Sequence, residues 1–203
     1  MSGNILYLAS ASPRRLELLR QIYIEPRLRA ADIDETPLAG ESAQQMTQRL
    51  ALAKALKVAK QLRATLSTSE QDKSWVLGAD TTGVLGSEML LKPESKQDAF
   101  RMWHLMANHT HQVITAIALI NVSSLEKKFQ ATSVSDVAFG DISAEEMEYY
   151  WASDEPRDKA GAYAIQGYGA CWVKRFNGSY SGIVGLPLYE TRQLLTQAGF
   201  AKG

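Results

Sequence analysis

The stretch Val113-Ile114-Thr115-Ala116-Ile117-Ala118-Leu119-Ile120-Asn121-Val122 decides the fold class. It is apolar on both faces of a period-2 repeat, the pattern of a strand covered from each side, and so predicts a central strand. The apolar run within it, Val113 to Ile120, is the longest in the chain. It falls far short of the roughly 20 residues that a membrane-spanning helix needs. Upstream, Ile5 to Ala9 reads as a short strand. Ser12-Pro13 then opens a helix running to about Ile22, with serine as the cap and proline in the first helical position. Ser42 with Gln45 forms a capping box for a long helix to about Leu62. Thr65 to Ser74 is polar, rich in Ser and Thr, and predicts a surface loop. Trp75 to Ala79 reads as a strand, and Val84-Leu85 pairs with Met89 to Leu91 across a Gly86-Ser87 turn. Ser95 begins a helix with Ala99, Phe100, Trp103 and Met106 on its buried side.

Downstream of the central run, Ala131 to Phe139 predicts a neighbouring strand. Ser143 with Glu146 caps a helix ending near Ala152. Ala170 to Phe176 reads as a strand reaching the hairpin-type dipeptide Asn177-Gly178. Pro187 opens the last helix and Gly199 closes it. Strands and helices in mixed order predict an α/β fold around a mixed sheet.

Composition narrows the function classes. At 203 residues the chain has room for one domain, or two small lobes sharing a core. With 45% hydrophobic and 22% charged residues, disorder and fibrous repeats are excluded. Lys+Arg and Asp+Glu both number 22, and a formal net charge of zero argues against a nucleic-acid-binding module. A local basic site for a small anion remains open. Met1-Ser2-Gly3-Asn4 lacks a positive region followed by an apolar stretch, so no signal peptide is expected. A lone cysteine, Cys171, cannot form a disulfide framework, and a reducing cytoplasm is the simplest compartment.

Seven segments carry residues suited to chemistry. Ser10-Ala11-Ser12-Pro13-Arg14-Arg15 runs from a strand into a helix start, where free N–H groups favour an anion and arginines match phosphate oxygens. Arginines placed there oppose the helix dipole unless an anion is bound, although surface pairing with Glu17 would also explain them. Lys54 stands in the otherwise apolar row Met46, Leu50, Lys54, Val58, as a functional lysine or as one snorkelling from a buried stripe. In Gly78-Ala79-Asp80-Thr81 an aspartate sits at the end of an apolar strand, a common catalytic address in α/β folds. It can ligate Mg²⁺, accept a proton from water, or simply bond backbone amides in a turn. Lys92-Pro93 is weak evidence alone. Asp32, Asp34 and Glu35 form an acidic cluster that can hold a metal or be a solvated loop. Asp158 to Gly167 combines glycines with Gln166, whose amide both donates and accepts, as reading a nucleobase edge requires. A structural glycine-rich loop fits the same pattern. Gly178-Ser179-Tyr180 through Gly185-Leu186-Pro187 offers a last anion-friendly helix start, though no P-loop pattern occurs. Neither is there a G-x-S-x-G elbow. His104, His109 and His111 make a poor zinc set, and Cys171 reads as a buried, inert thiol.

Taken together these segments resemble the Maf family of nucleoside triphosphate pyrophosphatases. The carrying motifs are Ser10 to Arg15, Asp34-Glu35, Lys54, Gly78-Ala79-Asp80-Thr81, Lys92-Pro93, Asp158 to Tyr163, Ile165-Gln166-Gly167 and Gly178-Ser179-Tyr180 through Leu188. They occur in the family's order and cover nearly the whole chain. The resemblance implies an elongated α/β fold, Maf/ITPase-like, with a mixed β-sheet flanked by helices and an active-site cleft between two lobes. Residues 1–203 would form a single Maf-like domain. It implies hydrolysis of a nucleoside triphosphate to the monophosphate and pyrophosphate with a divalent metal cation, Mg or Mn. Asp80 would be the proton acceptor and a metal ligand, Glu35 would help bind the metal or position the attacking water, and Arg14, Arg15, Lys54 and Lys92 would hold the triphosphate, with Ser10 beside them.

Arg14, Thr81 and Gln166 match the branch of the family that acts on dTTP and UTP. A cytoplasmic enzyme, a small-molecule nucleotide partner and a homodimer are implied, with no nucleic acid and no membrane. A non-catalytic nucleotide-binding regulator of cell division and a housecleaning pyrophosphatase for modified pyrimidine nucleotides are the alternatives. Gly83 and Asn108 depart from the family pattern, and both concern strand geometry.

Overall fold

The computed structural model describes residues 3–200. In chain order it contains β1 (Ile5–Ala9), α1 (Pro13–Gln21), β2 (Arg27–Leu28), α2 (Ala43–Arg63), α3 (Thr68–Lys73), β3 (Ser74–Leu85) and β4 (Glu88–Leu90). There follow α4 (Lys96–Met106), β5 (Thr110–Asn121), β6 (Lys128–Phe139), α5 (Ala144–Ala152), β7 (Val173–Asn177), α6 (Tyr180–Val184) and α7 (Leu188–Gln197). The strands form one mixed sheet in the order β2-β1-β3-β5-β6-β7, with β4 paired to β3. β1 is parallel to β2 and β3, whereas β3, β5, β6 and β7 run antiparallel in turn. The expected mixed α/β fold is present, with β5 at the centre of the sheet.

Period-2 alternation splits the core into two layers. Leu6, Leu8, Trp75, Leu77, Ala79, Val113, Ile117 and Leu119 face one layer, packed with residues of α1, α4, α5, α6 and α7. Tyr7, Ala9, Val76, Ala118 and Ile120 face the other, where Ala55, Val58, Ala59 and Leu62 of α2 cover them. Burial on both faces explains why β5 is apolar from Val113 to Ile120 except at Thr115. Among the described residues no helix is long and apolar enough to cross a membrane.

Several sequence expectations change. Trp75 to Ala79 and Val84-Leu85 belong to one 12-residue strand, so Asp80 lies in mid-strand and not where the chain leaves the sheet. Pairing with β5 from Trp75 to Val84 carries the strand through the polar residues. The expected loop Thr65 to Ser74 contains α3, opened by a Ser67–Glu70 capping box. Ala170 to Phe176 is not one strand: Tyr168–Trp172 is a 3₁₀ turn, and Cys171 on it is exposed rather than buried. Asn177-Gly178 makes no hairpin, because the chain leaves β7 directly into α6.

What positions the site is a break in the sheet edge. On the side of β3 away from β5, β1 pairs only as far as Gly78 and β4 only from Gly83. Residues 79–82 therefore lack a strand neighbour on that side among the described residues. Successive side chains point to opposite faces of a strand, so both Asp80 and Thr81 can reach one opening there.

Candidate functional site

A cavity of about 360 Å³ fills this break. Ser10, Arg14, Arg15, Glu35, Lys54, Asp80, Thr81, Lys92 and Gln166 all line it, so every site residue expected from the sequence reaches one place. Of the acidic cluster only Glu35 does. Asp34 accepts the Thr36 N–H at 2.9 Å, and Asp32 lends its carbonyl to Lys57.

Lys54 is brought over Asp80 by Gly78. A Cβ at Gly78 would strike the Ala51 carbonyl oxygen and lie 2.8 Å from the Ala55 nitrogen, so α2 rests its backbone directly on β3. Lys54 lies between those two contacts in sequence, and its ammonium reaches Asp80 Oδ1 at 2.7 Å and Glu35 Oε1 at 2.6 Å. Lys54 and Asp80 are only 8% and 7% exposed, which rejects the snorkelling alternative. Lys92 approaches the other Glu35 oxygen at 3.3 Å. Burial pushes the Asp80 carboxyl above the ordinary aspartate range despite the pull of Lys54 and Arg15. Burial also pushes Glu35 up, but its hydrogen bond to Lys54 and the charges of Lys54 and Lys92 outweigh that and leave it below the ordinary range.

The segment bearing Glu35 has no regular structure and is tied to α2. Arg49 donates to the Thr36 carbonyl at 3.1 Å and grips both Glu41 oxygens at 2.6 and 2.7 Å. Two carboxylates from different elements thus converge on one ammonium. Among the described residues no group of three or more His, Cys, Asp or Glu has metal-binding geometry. Mg²⁺ does not require one, since it is commonly held by one or two carboxylates with phosphate oxygens and water completing the shell. Asp80 and Glu35 fit that donor set.

The opposite wall is built by the start of α1. Ser12 is its N-cap without a side-chain bond, Pro13 follows, and the first turn holds no acidic residue, so the first N–H groups stay open to an anion. Arg14 makes only a loose 3.9 Å contact with Asp158. Arg15 is braced: Nε donates to the Gly185 carbonyl at 2.8 Å, Nη1 to Ser10 at 3.1 Å and Nη2 to Thr81 at 3.3 Å. The Ser10 hydroxyl oxygen accepts from both Ser12 N–H and Arg15, which leaves its own proton to donate. Gln166 is exposed at the rim, and its amide has no side-chain hydrogen bond among the described residues.

Sequence reading missed His111 as part of this cavity. Its Nε2 is 2.8 Å from the Tyr163 hydroxyl, it is 1% exposed, and burial lowers its pKa to about 4, so it is neutral. His104 and His109 turn to local carbonyls, which removes the zinc alternative. A lone histidine in a strand gives no signal of a partner 52 residues away.

The family model described as "Maf-like protein" matches residues 5–198. The chain is 45% identical over 197 residues to a dTTP/UTP pyrophosphatase of Pseudoalteromonas atlantica, covering 97% of this chain and 98% of that one. It is 44% identical to a dTTP/UTP pyrophosphatase of Escherichia coli, covering 94% and 91% of the two chains. A third protein of that name, from Myxococcus xanthus, is 47% identical, with 97% and 93% covered.

Proposed function

The chain belongs to the Maf-like protein family, and from that premise we propose that it is a pyrophosphatase hydrolysing dTTP and UTP to the nucleoside monophosphate and pyrophosphate. The observation that carries the reading is the Asp80–Lys54–Glu35 cluster standing opposite the open N-terminus of α1 with its arginines, across one cavity. One wall offers a buried base, the other a cradle for phosphates.

Water attacks the α-phosphorus in line, Asp80 takes its proton, and pyrophosphate departs. A desolvated carboxylate is a stronger base than one in water, which suits Asp80 to the task. Lys54 orients that carboxylate and holds Glu35 beside it. Arg14, Arg15, Lys92 and the Ser10 hydroxyl neutralise and bind the phosphates. Gln166 reads the base, because its amide satisfies both the O4 acceptor and the N3–H donor of uracil or thymine. Asp80 and Glu35 would hold a divalent cation, Mg²⁺ or Mn²⁺, which when bound supplies Lewis-acid neutralisation of phosphate charge.

The test is pyrophosphate release from a panel of nucleoside triphosphates, beside the near-isosteric Asp80→Asn variant. Release from dTTP and UTP well above that from purine nucleotides is expected, with a loss of about 10²- to 10⁴-fold in the variant. Tight nucleotide binding without release by the unaltered protein would return the non-catalytic regulator reading.

A further inference from the structure

Thr115 lies within the apolar run of β5, is 0% exposed, and stands directly across from Thr81 in the β3–β5 register. Its hydroxyl oxygen is 2.8 Å from the carbonyl oxygen of Gly182 in α6 and 2.9 Å from the Thr81 hydroxyl oxygen. A carbonyl can only accept, so the single Thr115 proton is committed to Gly182. Thr115 must then accept from Thr81, and the Thr81 proton is committed too. Arg15 Nη2 approaches the Thr81 oxygen from another side at 3.3 Å, as it would approach a pure acceptor. The direction of every proton from α1 across two strands to α6 is therefore fixed.

We propose that Thr115 is a positioning residue that holds the Thr81 hydroxyl as an acceptor only, so that Thr81 takes a donor of the nucleoside moiety and not a phosphate oxygen. The inference rests on the pyrophosphatase reading for its ligand. Ser10 supplies the contrast. Both of its acceptor sites are filled, and only its proton is free for the cavity. Phosphate oxygens accept, so they match Ser10 and are mismatched to Thr81. The sugar hydroxyls and the imide N–H of a pyrimidine are donors, and these match Thr81.

The test uses Thr115→Val, which keeps the volume and removes the relay, and Thr115→Ser, which restores it. The Thr81→Val single and Thr81→Val/Thr115→Val double variants complete a cycle. In T115V the freed Thr81 hydroxyl can turn, and KM for dTTP is expected to rise roughly 5- to 10-fold, the scale of one hydrogen bond, with kcat within about threefold. Inhibition by inorganic tripolyphosphate, which has no nucleoside, is expected to change by less than about twofold. T115S returns KM to near its original value, and the double variant binds dTTP no worse than Thr81→Val alone. If valine does not fold, Thr115→Ala gives the same comparison.

An unchanged KM in T115V, an equal loss for tripolyphosphate and dTTP, or additive losses in the double variant would each overturn the proposal. If the unaltered protein cleaves no triphosphate, the function reading falls by itself. The proposal is then decided by calorimetric Kd values for dTTP and tripolyphosphate across the same variants.

Discussion

Asp80 and Glu35 share the ammonium of Lys54, yet their acidities move in opposite directions. The difference is solvation: Asp80 is 7% exposed in the sheet break, while the Glu35 side chain is 40% exposed and has Lys92 as a second cation. A base must be deprotonated to act, so activity is lost as pH falls through the raised Asp80 value. The acidic limb of kcat/KM against pH is accordingly expected above the ordinary aspartate range when the cation is limiting and the free carboxylate titrates; a limb at or below that range under that condition would assign the base elsewhere. The two carboxylates are coupled, so the limb belongs to the cluster as a unit. At the rim, Gln166→Glu removes the amide donor and leaves only acceptors. KM for dTTP and UTP is expected to rise about tenfold relative to the other nucleotides, read as a ratio of kcat/KM values. Equal losses for every nucleotide would contradict base reading at Gln166. These residues were legible in the sequence because each sits in a short local motif. Thr115 and the His111–Tyr163 pair were not, because their meaning lies in partners 67 and 52 residues away.

At the scale of elements, the long helix α2 contributes Lys54 and anchors the segment that carries Glu35. Both tasks depend on its seating against β3, and the seat is Gly78. A methyl group there meets backbone atoms of α2, which cannot turn aside as a flexible side chain would. Gly78→Ala should therefore lift α2, destabilise the fold by about 1–3 kcal/mol and displace Lys54 from Asp80. Urea unfolding reads the first effect. A loss of turnover in variant molecules that remain folded reads the second. The capping box Ser42–Gln45 and the apolar row revealed α2 in the sequence. β3 was harder, since Asp80-Thr81-Thr82-Gly83 breaks its apolar pattern and only pairing with β5 carries the strand through. α3 escaped notice because a six-residue polar helix has no buried residue to give it a period.

Across the whole molecule, the cavity draws on residues from Ala9 to Gly185. The β1–α1 junction, the segment before α2, β3, the 158–166 region and the end of α6 each give one part of its wall. None of these pieces forms a site alone, which is why the sequence displayed the motifs but not the break in the sheet that unites them. A ligand filling that break bridges both layers of the core, and only the folded chain offers the site. Nucleotide binding must then stabilise the native state by RT ln(1 + [L]/Kd), about 2.7 kcal/mol at a hundred times Kd. For a chain of this size each kcal/mol moves Tm by about 2–4 °C, so a rise of roughly 5–10 °C is expected. Asp80→Asn removes the base and also one of the two carboxylates that would hold a cation, so the shift is read in the presence of a chelator, with the phosphate cradle and Gln166 left in place. With saturating dTTP it should show the full rise in Tm without pyrophosphate release. A variant that neither cleaves nor is stabilised would mean that Asp80 supports binding itself, and that holding the nucleotide and activating water are not separable here.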